Sequence, residues 1–335
     1  MLPEMTTIPF FQRSTVRDSA GYYTAVTIRA MSESRPPLSN FLGPRYWPTW
    51  LLLGLVRLLC LLPYRPLMAV GRLLGRAALP LLAERRHIAL RNIEKCRPEL
   101  DDPQRKTLLK KHFESLGMAV FETGLAWWAK DARLAPLCHA EGTEYLHAAL
   151  EKGRGAIMLS AHFTCLEICS RMLAMQVRLN PVYRRFRNPL LQEVMQRGRE
   201  RSTDSAIPKE DLRQIVRTLK KNGVVWYAPD QSHSGKGAQI VPFFKIPAQT
   251  NTATTRLARM TGAPVLPFLP WRMPDGSGYR IVIGAEMDKF PSDDEIADTK
   301  LFHRMIEEHV QRVPEQYLWI HRRFKNVPEN PDFYA

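Results

Sequence analysis

A histidine and a glutamate, His162 and Glu167, stand five positions apart just beyond the apolar run Ala156-Ile157-Met158-Leu159. Histidine exchanges its proton near neutral pH, so it suits the removal of a proton from a hydroxyl, and a neighbouring carboxylate fixes the ring tautomer and stabilises the imidazolium formed. A lone histidine near a strand end is more often structural than catalytic, and His-x4-Glu is common by chance. The pair gains weight from its companions. Asp230 follows a second apolar run, Val224-Val225-Trp226-Tyr227-Ala228. Arg184, Arg185 and Arg187 precede Asn188 on one side of a short amphipathic stretch, and Arg197, Arg199 and Arg201 close it on the other. The guanidinium group is the side chain best matched to two-point contact with phosphate. A solvated basic face accounts equally well for any single arginine among them.

The elements that must position these groups are legible as periodicity. Ala156 to Leu159, just after Gly153 and Gly155, reads as a buried strand, and Thr164 to Ala174 as a helix. His162 then sits at a strand-to-helix corner with Glu167 about one helical turn further on. Pro181 to Tyr183 is a strand, Leu190 to Arg197 a helix, and Asp211 to Lys221 a helix stopped by Asn222-Gly223. Val224 to Ala228 is a strand that delivers Asp230 at its end, where sites in open α/β sheets lie. Thr252 to Met260 and Leu301 to Val313 read as helices, Val265 to Leu269 and Tyr279 to Ile283 as strands, and Val241 to Phe244 as an apolar loop that either lines a ligand tunnel or packs in the core. Upstream, Asp101 to Lys130 repeats apolar residues at helical spacing, and Leu137 to Leu150 continues as loop and helix. The alternation predicts an α/β fold with a mostly parallel central sheet flanked by helices.

The first forty residues show no period and no signal-peptide layout, and are expected to be a disordered extension (1–40). Residues 41–100 differ in character. Trp47-Pro48-Thr49-Trp50 opens the apolar stretch Leu51 to Leu62, broken at Pro63 and Pro66, and Leu67 to Leu82 is apolar again before a basic run through Arg85, Arg86, Arg91, Lys95 and Arg97. One reading is a short membrane helix or deep interfacial helix beside a basic helix on an anionic leaflet; the other is a buried helical pair. The first is favoured, with the catalytic domain at 101–335 on the cytoplasmic side by the positive-inside rule.

The 335 residues carry a net charge of +15, which calls for an anionic partner. Nucleic acid is a poor fit, since the sequence has no zinc finger, RNA-recognition signature or helix-turn-helix. The loop Ser232 to Gly237 lacks phosphate-loop spacing and is not a nucleotide site. The five cysteines, Cys60, Cys96, Cys138, Cys165 and Cys169, are odd in number and fit no metal pattern, so free thiols in a reducing compartment are expected.

Taken in order, these blocks resemble the lysophospholipid-type acyltransferase superfamily, whose hallmark is His-x4-Asp/Glu, an arginine-bearing block, a Pro-acid-Gly loop and an apolar Val-Pro block. They look like His162/Glu167, Tyr183 to Asn188, Ala228-Pro229-Asp230-Gln231 and Ala263 to Phe268. Gln231 departs from the usual glycine. Within the superfamily, Arg86 to Ile93, Gly198 to Ser202, Trp226 to Asp230, Val241 to Phe244 and Gln316 to Lys325 resemble the lipid A secondary acyltransferases of lauroyl/myristoyl type, over about Phe41 to Pro328. The resemblance implies an inner-membrane enzyme that moves a fatty acyl chain from acyl carrier protein to a hydroxyl of a 3-hydroxyacyl chain on the phosphorylated lipid A precursor, with no cofactor beyond the acyl donor and no metal. It implies His162 as general base and Glu167 as the group that orients it. Arg184, Asn188 and Arg199 become phosphate or oxyanion contacts, and Asp230 a positioning residue. Another membrane acceptor, a glycerophosphate or an aminolipid, is the alternative substrate.

Overall fold

The computed structural model describes residues 35–200, 202–235 and 237–335, and the elements below lie in the compact unit Pro37–Ala335. The extension expected over 1–40 therefore falls largely outside the described residues. Helices come first: Trp47–Leu59 (α1), Tyr64–Leu81 (α2), Ala83–Cys96 (α3), Asp102–Trp128 (α4) and the single turn Asp131–Leu134 (α5). α4 starts where Asp101 and Gln104 bond each other's backbone amides, with Pro103 in the first turn, which satisfies donors a helix start otherwise leaves open. α2 lies against α4 backbone to backbone. A Cβ on Gly117 would stand 2.1 Å from Gly71 O and 2.4 Å from Gly75 N.

The membrane span expected at Leu51 to Leu62 is not what forms there. α1 has 13 residues, about 20 Å at 1.5 Å per residue, against a hydrocarbon core of about 30 Å. Among the described residues no single helix is long and apolar enough to cross a membrane; α2 with α3 reaches that length and composition only as a pair bent by 97°. α1 stops at Cys60, where the Arg133 guanidinium takes up Cys60 O and Leu62 O. Its Leu53 and Val56 are buried while Leu51, Leu52, Leu55 and Leu58 face outward. The helix thus buries one face in the core and leaves a row of leucines outside it.

After α5 the chain builds the sheet. Cys138–Glu141 (β1) and Thr143–Glu151 (α6) lead to Ala156–Leu159 (β2), Leu166–Leu173 (α7), Leu179–Tyr183 (β3), Pro189–Arg199 (α8), Ile207–Pro208 (β4), Leu212–Lys220 (α9) and Val224–Tyr227 (β5). A two-stranded excursion, Ala238–Ile240 (β6) and Gln249–Asn251 (β7), precedes Ala253–Thr261 (α10), Val265–Arg272 (β8), Tyr279–Ile283 (β9) and Glu295–Arg312 (α11). Seven strands form one sheet in the order β1-β9-β8-β2-β5-β3-β4. All neighbours are parallel except β8 and β9. β2 and β5 are buried at every position, as parallel strands covered by helices on both faces must be. The expected mostly parallel α/β sheet is present. β1 is a correction: the stretch read as loop runs parallel to β9, and its residues Cys-His-Ala-Glu are too few and too polar to announce a strand.

Beyond α11 the chain folds back along the sheet. Phe243 packs its ring among Phe244, His303, Tyr317 and Phe324, and Val241 is fully buried. Core packing is therefore the role the structure gives the Val241–Phe244 loop. All five cysteines are free and buried.

Candidate active site

The register of the sheet builds the site. β2 and β5 pair with Leu159 opposite Tyr227, and His162 and Asp230 each lie three residues beyond that last pair. The two loops leave the same edge side by side. His162 Nδ1 stands 2.6 Å from Asp230 Oδ1, and the His162 amide donates to Asp230 Oδ2 at 3.0 Å. One carboxylate thus fixes both the ring and the backbone that carries it. Asp230 is buried, whereas 32% of the His162 side chain is exposed.

Burial opposes a charge on the imidazole, but the adjacent Asp230 charge and its hydrogen bond outweigh it, so the His162 pKa is raised above its ordinary value. Burial would likewise raise the Asp230 pKa. His162, through its charge and both hydrogen bonds, together with the more distant Arg323, holds it below the ordinary carboxylate range. With Nδ1 bonded to Asp230, Nε2 is the nitrogen left for a substrate proton. An imidazole so placed has the chemistry to act as a general base toward a hydroxyl.

Glu167 does not share in this. It opens the first turn of α7 at the expected corner, but its Oε1 accepts from Trp127 Nε1 at 2.9 Å and Arg199 Nε at 2.8 Å, and its Oε2 from Arg199 Nη2 at 2.5 Å. The carboxylate at the imidazole is Asp230's, which corrects the pairing expected from His-x4-Glu. The backbone explains the difference. Phe163 turns tightly onto Ala161 O, and the Thr164 amide is drawn to Gln316 O at 2.8 Å, so α7 starts only at Leu166 and presents Glu167 to α4 and α8. Burial raises the Glu167 pKa, but the Arg199 charge and the bonds from Arg199 and Trp127 bring it below the ordinary value. Gly198 makes room for this cluster, since a Cβ there would meet Trp127 Cβ and Cγ at 2.6 Å.

The remaining candidates separate. Asn188 caps α8, its Oδ1 accepting from the Leu190 and Leu191 amides at 3.0 and 3.2 Å, and its Nδ2 donates to Thr49 Oγ1 at 2.9 Å. Its polar atoms are engaged in structure. Arg199 ends α8 with Nη1 buried and unpartnered. Arg184 follows β3 and, with Arg185, Pro208, Leu212 and Arg213, lines an open groove of about 870 Å³ that Glu210 and Asp211 also border. The groove lies at the carboxyl ends of β3 and β4, the edge that carries His162 and Asp230. Beneath the His162 loop, Thr164 Oγ1 meets Ser115 Oγ at 2.7 Å, and Ser115 accepts from Arg272, itself bonded twice to the buried Glu122. Among the described residues no group of three or more His, Cys, Asp or Glu side chains could hold a metal ion. Trp127 is a site residue that the sequence does not announce, since a tryptophan at the end of a long helix reads as core packing.

Residues 37–326 match the model of the family described as bacterial lipid A biosynthesis acyltransferase. The chain is 39% identical over 289 residues to the lipid A biosynthesis lauroyltransferase of Escherichia coli K12, covering 86% of this chain and 94% of that one. It is 40% identical over 293 residues to the palmitoleoyltransferase of the same strain, with the same coverage of each. Identity to that strain's lipid A biosynthesis myristoyltransferase is 25% over 294 residues, covering 85% and 89%.

Proposed function

Because the chain belongs to the bacterial lipid A biosynthesis acyltransferase family, we propose that His162 is the general base of an acyl transfer onto a hydroxyl of a lipid A precursor. The enzyme is an acyltransferase of lipid A, and hence lipopolysaccharide, biosynthesis. The observation that carries the mechanism is the Asp230 carboxylate 2.6 Å from His162 Nδ1, on a ring whose other side remains accessible. Nε2 takes the proton of the acceptor hydroxyl, the oxygen attacks the thioester carbonyl of the acyl donor, and the carbon–sulfur bond breaks. The imidazolium returns its proton to the leaving thiolate, so the sequence closes with an ester, a free thiol and an unchanged enzyme. Asp230 stabilises the imidazolium between these transfers. No covalent intermediate and no cofactor beyond the acyl thioester is required.

The donor is acyl carrier protein, whose acidic surface suits a chain of net charge +15. The phosphorylated acceptor is met by arginines. Arg184, Arg185 and Arg213 supply the groove, and Arg199, oriented by Glu167, keeps Nη1 for an anionic oxygen. The enzyme works at the cytoplasmic face of the inner membrane. Supporting this are the leucines of α1, α2 and the turn between them that stand in solvent, among them Leu51 at 76%, Leu58 at 63%, Leu61 at 74% and Leu81 at 80% exposure, beside the basic α3. An apolar face rimmed by cations seats in an anionic interface without spanning it.

Mass spectrometry of lipid A with and without the gene tests the substrate: one acyl chain fewer in the deletion strain is expected. An unchanged acyl count would direct the same chemistry to another membrane acceptor. In vitro, His162→Ala is expected to abolish transfer from acyl carrier protein while leaving the circular dichroism spectrum intact, and full activity in that variant ends the general-base reading.

A further inference from the structure

A stretch of chain with no part in the proton transfer is tied to both halves of the dyad. Residues 316–321 follow α11 and cross the sheet edge. Phe163 and Tyr317 form an antiparallel bridge. On either side of it the Thr164 amide donates to Gln316 O at 2.8 Å and the Leu318 amide donates to His162 O at 3.0 Å. At the far end of the stretch, His321 Nε2 accepts from the Ser232 amide at 3.2 Å, two residues beyond Asp230. The segment is itself pinned. The Gln316 side chain bonds the Arg272 amide and carbonyl at 2.7 and 2.9 Å. Asn92 Nδ2 donates to Trp319 O and His321 O at 2.6 and 2.8 Å. One strap, fastened to β8 and α3, therefore holds the His162 loop at one point and the Asp230 loop at another.

We propose that His321 is a positioning residue for acyl transfer: as a neutral imidazole it accepts the Ser232 amide and so fixes the Asp230 loop at hydrogen-bonding distance from His162. This rests on His162 being the base. A ring nitrogen accepts only while unprotonated, so the proton of neutral His321 sits on Nδ1. Burial, with His162, Arg323 and Lys325 in the same direction and Asp230 opposing, pushes His321 down to about 4, and the acceptor persists across the working pH range.

Three variants separate positioning from mere folding. His321→Ala deletes the acceptor. His321→Gln carries an amide oxygen far enough out to replace Nε2, and His321→Asn has the same chemistry one methylene too short. Steady-state rates with acyl carrier protein thioester and lipid A precursor are measured from roughly pH 5 to 9, spanning the histidine range. In the Ala and Asn variants kcat is expected to fall about tenfold with KM nearly unchanged. Their acid limb should move to lower pH, because His162 loses part of the Asp230 charge that raises its pKa. His321→Gln should restore both. Should His321→Ala fail to fold, the Asn and Gln pair carries the test.

A wild-type rate and limb in the Asn variant overturns the proposal. So does a loss of rate that leaves the limb in place and that Gln does not rescue. His162→Gln, assayed alongside, keeps the two readings apart. Activity there removes the base itself, whereas an inactive His162→Gln beside unaffected His321 variants removes only the strap.

Discussion

At the scale of residues, the site turns on which carboxylate faces the imidazole. The two acids make opposite predictions. Asp230→Asn removes the charge that raises the His162 pKa, so burial then dominates and the acid limb of kcat should shift to lower pH, with a rate loss of about 10²-fold or more. Glu167→Gln leaves the His162 environment alone and unpairs Arg199 from its carboxylate. It should lower the rate and the thermal midpoint while the acid limb stays where it is. A limb that moves in Glu167→Gln, followed in the same pH–rate series, would return the orienting role to that residue. The dyad was half legible in the sequence. Both His162 and Asp230 stood just past strand ends, and the register with Leu159 opposite Tyr227 sets them side by side once β2 and β5 are known to be neighbours. Strand order is a tertiary property, however, and the five-residue spacing to Glu167 drew attention along the chain instead of across the sheet.

At the scale of elements, the amphipathic helices were plain from their period and the central strands from unbroken apolar runs, because β2 and β5 are buried on both faces. The short strands were not: β1 and β4 hold too few residues for alternation to register. Nor could spacing reveal that α2 and α4 meet at glycines. That contact sets up a test in which two effects oppose each other. Alanine at position 117 improves helix propensity by about 1 kcal/mol, yet its Cβ would stand 2.1 Å from Gly71 O. Overpacking of this kind costs about 1–3 kcal/mol. Gly117→Ala is therefore expected to lower the melting temperature by several degrees, and a rise in differential scanning calorimetry would show that the helices separate freely.

At the scale of the molecule, hydropathy pointed to lipid and the structure gives that hydropathy a shape. The apolar stretch at Leu51 to Leu62 is too short to cross a bilayer but leaves leucines outside the core. Leucine burial is worth about 1.5–3 kcal/mol per side chain, so the triple change Leu51→Glu, Leu55→Glu, Leu58→Glu should reduce partition onto anionic vesicles by at least about 100-fold in a flotation assay. Partition that persists undiminished would place the seat elsewhere.

The long helix α4 carries a geometric consequence. It touches the leucine-bearing α2 at Gly117 and the Glu167 carboxylate at Trp127, ten residues later, or about 15 Å along the rod. Neither end has slack, since one is a backbone contact and the other a hydrogen bond. The rod thus acts as a strut: it holds the leucine-bearing α2 and the Arg199–Glu167 pair at one spacing, so neither moves without the other.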